Sequence, residues 1–276
     1  MLTQKLESSH RQILIYFKSF LADATNMKLI EENPMENVYI PSRNDISKSK
    51  MIPGEEDVFF SNYYSIEEIM NFLAASKNYC TEKQHIFFLV LAHSGIRRGE
   101  AMALTWNDID FQKRLIHVNK AAAYSTEKKL HIKDTKNYMH RKVRIDSETL
   151  GELQKWKASQ ERLLKMKNQY VKNNREQYIF QNRDNNLTDP AQAGRWLSQL
   201  YECCDLRRIT VHGLRHTHCT LGLKSRQYTI EEMMHRLGHK DIKVTMDVYT
   251  HVTVESMETN PDLYMEYLQK EYENSK

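Results

Sequence analysis

A chain of 276 residues with eight glycines and five prolines has few places where it can turn sharply. Average usage would supply roughly 33 such residues. A sandwich or barrel built of many short strands needs turn residues at every hairpin, and a Gly-rich linker or collagen-like repeat needs far more glycine. The scarcity therefore directs the chain to long helices with few connections. Hydrophobic residues at 40% and aromatics at 10% are enough to form a core, which argues against disorder. The longest apolar run, Ile86–Ala92, is far below the roughly 18 residues that a membrane span requires. The first residues, MLTQKLESSHRQ, lack the basic-then-apolar order of a secretory leader. The expectation is a soluble cytoplasmic protein that is mainly α, with its four cysteines (Cys80, Cys203, Cys204 and Cys219) reduced.

Hydrophobic spacing places the elements. Residues 1–43 read as a helix followed by a loop, and the polar stretch SRNDISKSKMIPGEED reads as a linker. Ser65 and Glu68 form a capping box that opens a helix running to about Ser76. His85–His93 is a second helix, apolar on most sides. Between residues 114 and 146 the period drops to two, predicting one small antiparallel sheet. Ser147 is expected to cap a long helix to about Tyr170, and YIFQN reads as a strand. Thr188 and Pro190 are expected to start a helix. Further helices are expected over 212–224, from Thr229 to Gly238, and over Asp241–Tyr249. The domains predicted are 1–45, a linker over 46–57, a main domain over 58–255 and a tail helix over 256–276.

Charge supplies a direction. The net formal charge is +4, but Glu255–Lys276 holds six acids and two lysines, so the preceding residues carry +8. A basic body suits a nucleic-acid partner. Unusual residues are concentrated in three windows: SGIRRGEAMALTWNDID, HGLRHTHCT and HRLGHKDIKVTMDVYTH. In the first, Arg97 and Arg98 sit between two glycines, with Glu100 three residues after Arg97. In the second, His212 and Arg215 share one helical face. In the third, His239 follows Gly238 in a turn, ten residues before Tyr249. Two arginines can hold the non-bridging oxygens of a phosphodiester bidentately. A tyrosine hydroxyl beside imidazole and guanidinium groups can act as a nucleophile. No acidic cluster suited to a two-metal nuclease is evident in the sequence. The residue types together point to phosphoryl transfer through a covalent intermediate, with no metal and no cofactor.

These windows resemble the signature boxes of the tyrosine recombinase (phage-type integrase) family, "TGLRxGE…HDLRHTHAT…LGHxxIxxTxxxYTH". The resemblance covers roughly residues 58–255, and the spacings Arg215–His239 (24) and His239–Tyr249 (10) agree with it. It implies that Arg97 and Arg215 clamp the scissile phosphate and that His212 and His239 hydrogen-bond and transfer protons. Tyr249 would form a 3′-phosphotyrosyl bond, Glu100 would brace the site, and a hairpin lysine would protonate the leaving 5′-oxygen. That lysine is Lys136, with Lys133 as the alternative. Arg98, Arg141, Lys142, Arg144, Lys240 and Lys243 are candidate contacts to the DNA backbone, as are Arg207 and Arg208. The implied partners are double-stranded DNA at attachment or element-end sites and three further copies of the chain, a tetramer on DNA formed from free monomers. A directionality factor is a further candidate partner. Residues 1–45 resemble the closing part of a helical core-binding domain, as if the chain began inside it.

Other readings stand beside this one. TIEEMMHRLGHKDIKVTMDVY also reads as a helix–turn–helix of a non-catalytic regulator. The i, i+4 pairs His212/His216 and His235/His239, with Cys219, have zinc-ligand spacing. A relaxing enzyme of the type IB topoisomerase kind would share the chemistry without exchanging strands. His216 and His218 are expected to bond structurally within their helix. In the tail, Leu263, Tyr267 and Leu268 line one side of a helix expected to start at Asn260-Pro261 and to dock in cis or on a neighbouring subunit.

Overall fold

The computed structural model describes residues 2–38, 40, 62–125, 129–135, 140–173, 175–239 and 246. The chain divides into two units, Met1–Val58 and Phe59–Lys276. In the first, α1 (Leu2–Asn26) is followed by a bend at Lys28, whose backbone is left-handed. Lys18 Nζ then donates to the carbonyls of Glu36 (3.0 Å) and Val38 (3.1 Å), holding the returning segment against the helix.

The second unit is built around one helix. Capping boxes at Ser65/Glu68 and Thr81/Gln84 start α2 (Ile66–Tyr79) and α3 (Glu82–Ser94). Along α3 every residue from His85 to Ala92 is buried. A helix apolar all round is stable only when other elements surround it. Here α2, α5 (Ser147–Met166) and α7 (Val211–Lys224) pack against it. Phe87 meets Phe88, Phe180 and Trp196 edge-on, with ring centroids 5.9, 5.1 and 5.4 Å away. The buried His85 is satisfied by Ser76 Oγ, 2.8 Å from its Nδ1. The short α4 (Arg98–Ala103) follows α3 directly.

The fold is mainly α with small antiparallel sheets, as the sequence predicts, but the strands form two sheets rather than one. β2 (Leu115–Val118) lies between β1 (Ile109–Asp110) and β5 (Arg141–Arg144), whereas β3 (Lys120–Tyr124) pairs with β4 (Leu130–Asp134). The break falls at Asn119, and Lys120 just beyond it is tied to the buried Asp108 (2.5 Å).

Three local expectations are corrected. Asp146, not Ser147, caps α5, accepting from Thr149 N at 2.8 Å, and α5 ends at Met166 rather than near Tyr170. YIFQN forms one isolated bridge, Thr105 to Tyr178, instead of a strand, because side chains satisfy its carbonyls. Gln160 Nε2 takes Tyr178 O (2.9 Å), Trp156 Nε1 takes Ile179 O (2.9 Å) and Lys83 Nζ takes Gln181 O (2.8 Å). Thr188 donates to Phe180 O (2.5 Å), so its hydroxyl serves that same loop, and α6 (Gln192–Cys203) starts only after Pro190. The expected helices at Asp241–Tyr249 and in the tail lie outside the described residues, Met246 apart, which is helical.

Among the described residues, no helix is long and apolar enough to cross a membrane. Since Phe87 fills the middle of the core, Phe87→Ala is expected to cost about 3–5 kcal/mol, read as a lower urea midpoint at an unchanged slope.

Candidate active site

The sequence windows meet at the C-terminus of α8 (Ile230–Leu237), which opens on the capping box Thr229/Glu232 and closes on Gly238. Gly238 is left-handed (φ 68°), and its N–H and that of His239 turn back onto Met234 O at 2.9 and 3.1 Å. The last carbonyls of such a helix are unpaired acceptors at the negative end of its dipole. Three guanidiniums from distant segments take them in succession. Arg141 Nε donates to Arg236 O (2.8 Å), Arg215 Nη2 to Leu237 O (2.7 Å) and Arg97 Nη2 to Gly238 O (2.8 Å).

Each arginine is also held from behind. Arg215, 3% exposed, sends Nη1 to Gly95 O (2.7 Å). Gly95 is the left-handed C-cap of α3, and a Cβ there would come within 2.6 Å of the His218 ring and 2.7 Å of Leu237. Arg97, half-buried, caps α4. Its N–H and Nη1 both reach Glu100, at 2.8 and 3.0 Å. Glu100 is buried, which by itself would raise its pKa, but Arg141 and then Arg97 hold its carboxyl below the usual range.

The histidines border the same cations. His212 presents its outer face to solvent. The protein packed along its inner side, then the His216 ring (4.6 Å between centroids) and Arg215, nonetheless hold its pKa at about 4. Burial, then Arg215 and Arg97, hold His239 at about 3. Both imidazoles are neutral at pH 7. Burial and then Arg97 lower the pKa of Arg215 to about 9, leaving its guanidinium charged at neutral pH.

Of the residues expected at the site, Arg97, Glu100, His212, Arg215 and His239 are brought together. Lys136, Tyr249, Lys240 and Lys243 lie outside the described residues, as does His251. Arg98, Lys142 and Arg144 are exposed. Arg141 requires a correction. It is 5% exposed and paired to Glu100 through both Nη atoms (3.1 and 2.7 Å), so its guanidinium has no surface from which to follow a DNA backbone. The alternation in RKVRID contained the signal: Arg141 shares the inward face with Val143 and Ile145. Arg207 is exposed, pairs with Glu68 (2.8 Å) and lies over the Tyr64 ring. His218 bonds outside its helix, not within it. Its Nδ1–H donates to Ala92 O (2.9 Å) and its Nε2 accepts from Arg236 Nε (2.8 Å), while Arg236 Nη2 takes His93 O (2.9 Å). Arg236 had no role in the sequence reading.

The phage integrase family model matches residues 63–256. The chain belongs to the phage integrase family. Among curated members, it is 28% identical over 253 residues to the ICEBs1 integrase of Bacillus subtilis, covering 88% of this chain and 61% of that one. It is 27% identical over 234 residues to the integrase of Staphylococcus phage L54a, covering 80% of this chain and 64% of that one. The chain thus spans less than two thirds of the length of these integrases. Its fold is similar to that of the Tn1549 transposon integrase in complex with a circular intermediate DNA (TM-score 0.60, 19% identity, 84% of this chain and 71% of that one). The XerA recombinase is similar too (TM-score 0.53, 22% identity, 80% of this chain and 66% of that one).

In this integrase-family site the depressed histidines couple stability to pH. The folded chain refuses protons that the unfolded chain binds below the ordinary histidine pKa of about 6.5. Stability is therefore full above that pH and is lost as pH falls toward the folded values of about 4 for His212 and about 3 for His218 and His239. Thermal unfolding followed from pH 7.5 to 4.5 is expected to show the melting temperature falling below about 6.5, with a shallower fall in His212→Asn.

Proposed function

We propose that this chain is a site-specific DNA recombinase that cleaves and rejoins strands through a 3′-phosphotyrosyl intermediate, for integration or excision of a mobile element. The observation that carries this reading is the gathering of Arg97, Arg215, His212 and His239 at the Gly238 turn. Two charged guanidiniums held by carbonyls are preorganised for the negative charge that builds on the non-bridging oxygens of a phosphodiester. The phosphate brings the counter-charge that these four groups lack among themselves.

In the proposed reaction Tyr249 Oη attacks phosphorus and the bond to the 5′-oxygen breaks. Lys136, or Lys133, protonates that oxygen, while His212 and His239 hydrogen-bond the phosphoryl oxygens and carry the nucleophile's proton. Rejoining reverses the steps with a 5′-hydroxyl from another strand, so the energy of the broken ester is retained and neither ATP nor a metal ion is required. Residues 58–255 form the catalytic part, 1–45 the closing part of a core-binding domain, joined to it by a linker over 46–57, and 256–276 a tail that docks on a neighbouring subunit. The partners are double-stranded DNA, three further copies of the chain when on DNA, and a directionality factor. The names of the relatives support the class: the ICEBs1 integrase, the integrase of a Staphylococcus phage, and a transposon integrase in complex with a circular intermediate DNA. Exposed Arg98, Lys142 and Arg144 are available to follow a DNA backbone, and the sequence offers Lys240 and Lys243 for the same role.

A nicked suicide substrate carrying the element ends tests the reading, with EDTA present and products separated on a denaturing gel. Wild type is expected to give a DNA-linked band that Tyr249→Phe lacks. Arg97→Ala and Arg215→Ala should each slow its formation by about 100-fold or more. A mobility shift without any adduct would point instead to a protein that binds DNA and does not cut it. Truncation after Thr253 is expected to reduce cooperativity of assembly on DNA, which a gel-shift titration reads.

A further inference from the structure

We infer that Arg141 is a positioning residue, whose buried guanidinium sets the place of both the Arg97–Glu100 pair and the His239 turn. All three of its nitrogens are engaged, and on two different elements. Nη1 and Nη2 take the two carboxylate oxygens of Glu100 at 3.1 and 2.7 Å, and Nε takes the carbonyl of Arg236 in the last turn of α8 at 2.8 Å. Glu100 in turn accepts Arg97 N at 2.8 Å and Arg97 Nη1 at 3.0 Å, so both of its oxygens are shared between the two arginines. One rigid fork on β5 thereby sets the distance between the start of α4, which Arg97 precedes, and the turn that carries His239.

The packing is built around that fork. Gly238 lies against it, where a Cβ would come within 2.9 Å of Arg141 Nη1, so the turn and the guanidinium exclude each other's displacement. With its side chain 1% exposed, Arg141 cannot reach a ligand itself and acts through the groups it holds. Lysine cannot replace it: an ammonium keeps the charge but offers no planar fork that reaches a carboxylate and a carbonyl together.

The test compares wild type with Arg141→Lys in the full chain, through two readouts. The first is the NMR spectrum of the histidine rings at pH 7 without DNA. The groups facing His239 are Arg215, Arg97, His212 and His216. Since Arg141→Lys leaves the charge at 141 unchanged, a moved His239 reports a moved turn. The ring 1H and 15N shifts of His239 are expected to move, while those of His85, buried between α2 and α3, do not. The second readout rests on the recombinase reading: single-turnover adduct formation at saturating DNA should fall by about 100-fold, with the Kd for DNA within about threefold of wild type. An unmoved His239, a common shift of His239 and His85, or a rate that falls only in step with Kd would overturn the assignment. A wild type that forms no adduct while its His239 answers to Arg141 would sink the recombinase reading and leave the positioning role standing. Should Arg141→Lys not fold, Gly238→Ala presses on the same guanidinium without altering charge, and the same selective shift of His239 is expected.

Discussion

The site depends on the carbonyls that the end of one eight-residue helix leaves without partners in the helix. An α-helix leaves its last C=O groups without partners, and in α8 they face three arginines drawn from β5, the N-cap of α4, and α7. Each guanidinium–carbonyl bond answers two needs. It satisfies an orphan acceptor, and it offsets positive charge that would otherwise be crowded without compensation. Glu100, with one formal charge, balances part of the remainder. The cluster stays net positive, a state that an anion would relieve.

Holding such a cluster demands a stiff frame. The frame is α3, buried over most of its length and locked by edge-on aromatic contacts around Phe87. Its C-cap, Gly95, gives Arg215 its second acceptor, and Ala92 and His93 receive His218 and Arg236. The same helix that centres the core therefore supplies the carbonyls that fix α7 and α8. Damage to the core and damage to the site are not independent here.

How much was legible from the sequence varied with the range of the interaction. Capping boxes at Ser65 and Thr229 could be read because both partners lie within four residues. The three motif windows were read by residue type and spacing, and their meeting at one turn follows from the fold. The errors arose where a residue's partner came from elsewhere. YIFQN has strand composition, but Gln160 and Trp156 take its carbonyls; Thr188 looks like a cap, but its hydroxyl serves Phe180 O. Arg141 was read from its charge when the period-two pattern around it already pointed inward.

By itself the sequence determined the helical class, most helix starts, and the set of arginines and histidines at the site. These rest on local rules: few turn residues, period 3.6, and side chains that cap their own first turn. The tertiary structure alone decided which of the basic residues face inward and what each one holds. Arg97, Arg141 and Arg215 carry the same charge in the sequence, yet one is half-buried beside Glu100, one links a strand to a helix end, and one joins two helix C-termini. The physical reason is that a guanidinium's role is set by its acceptors, and here each acceptor that ties the cluster to α8 or α3 lies at least 22 residues away along the chain.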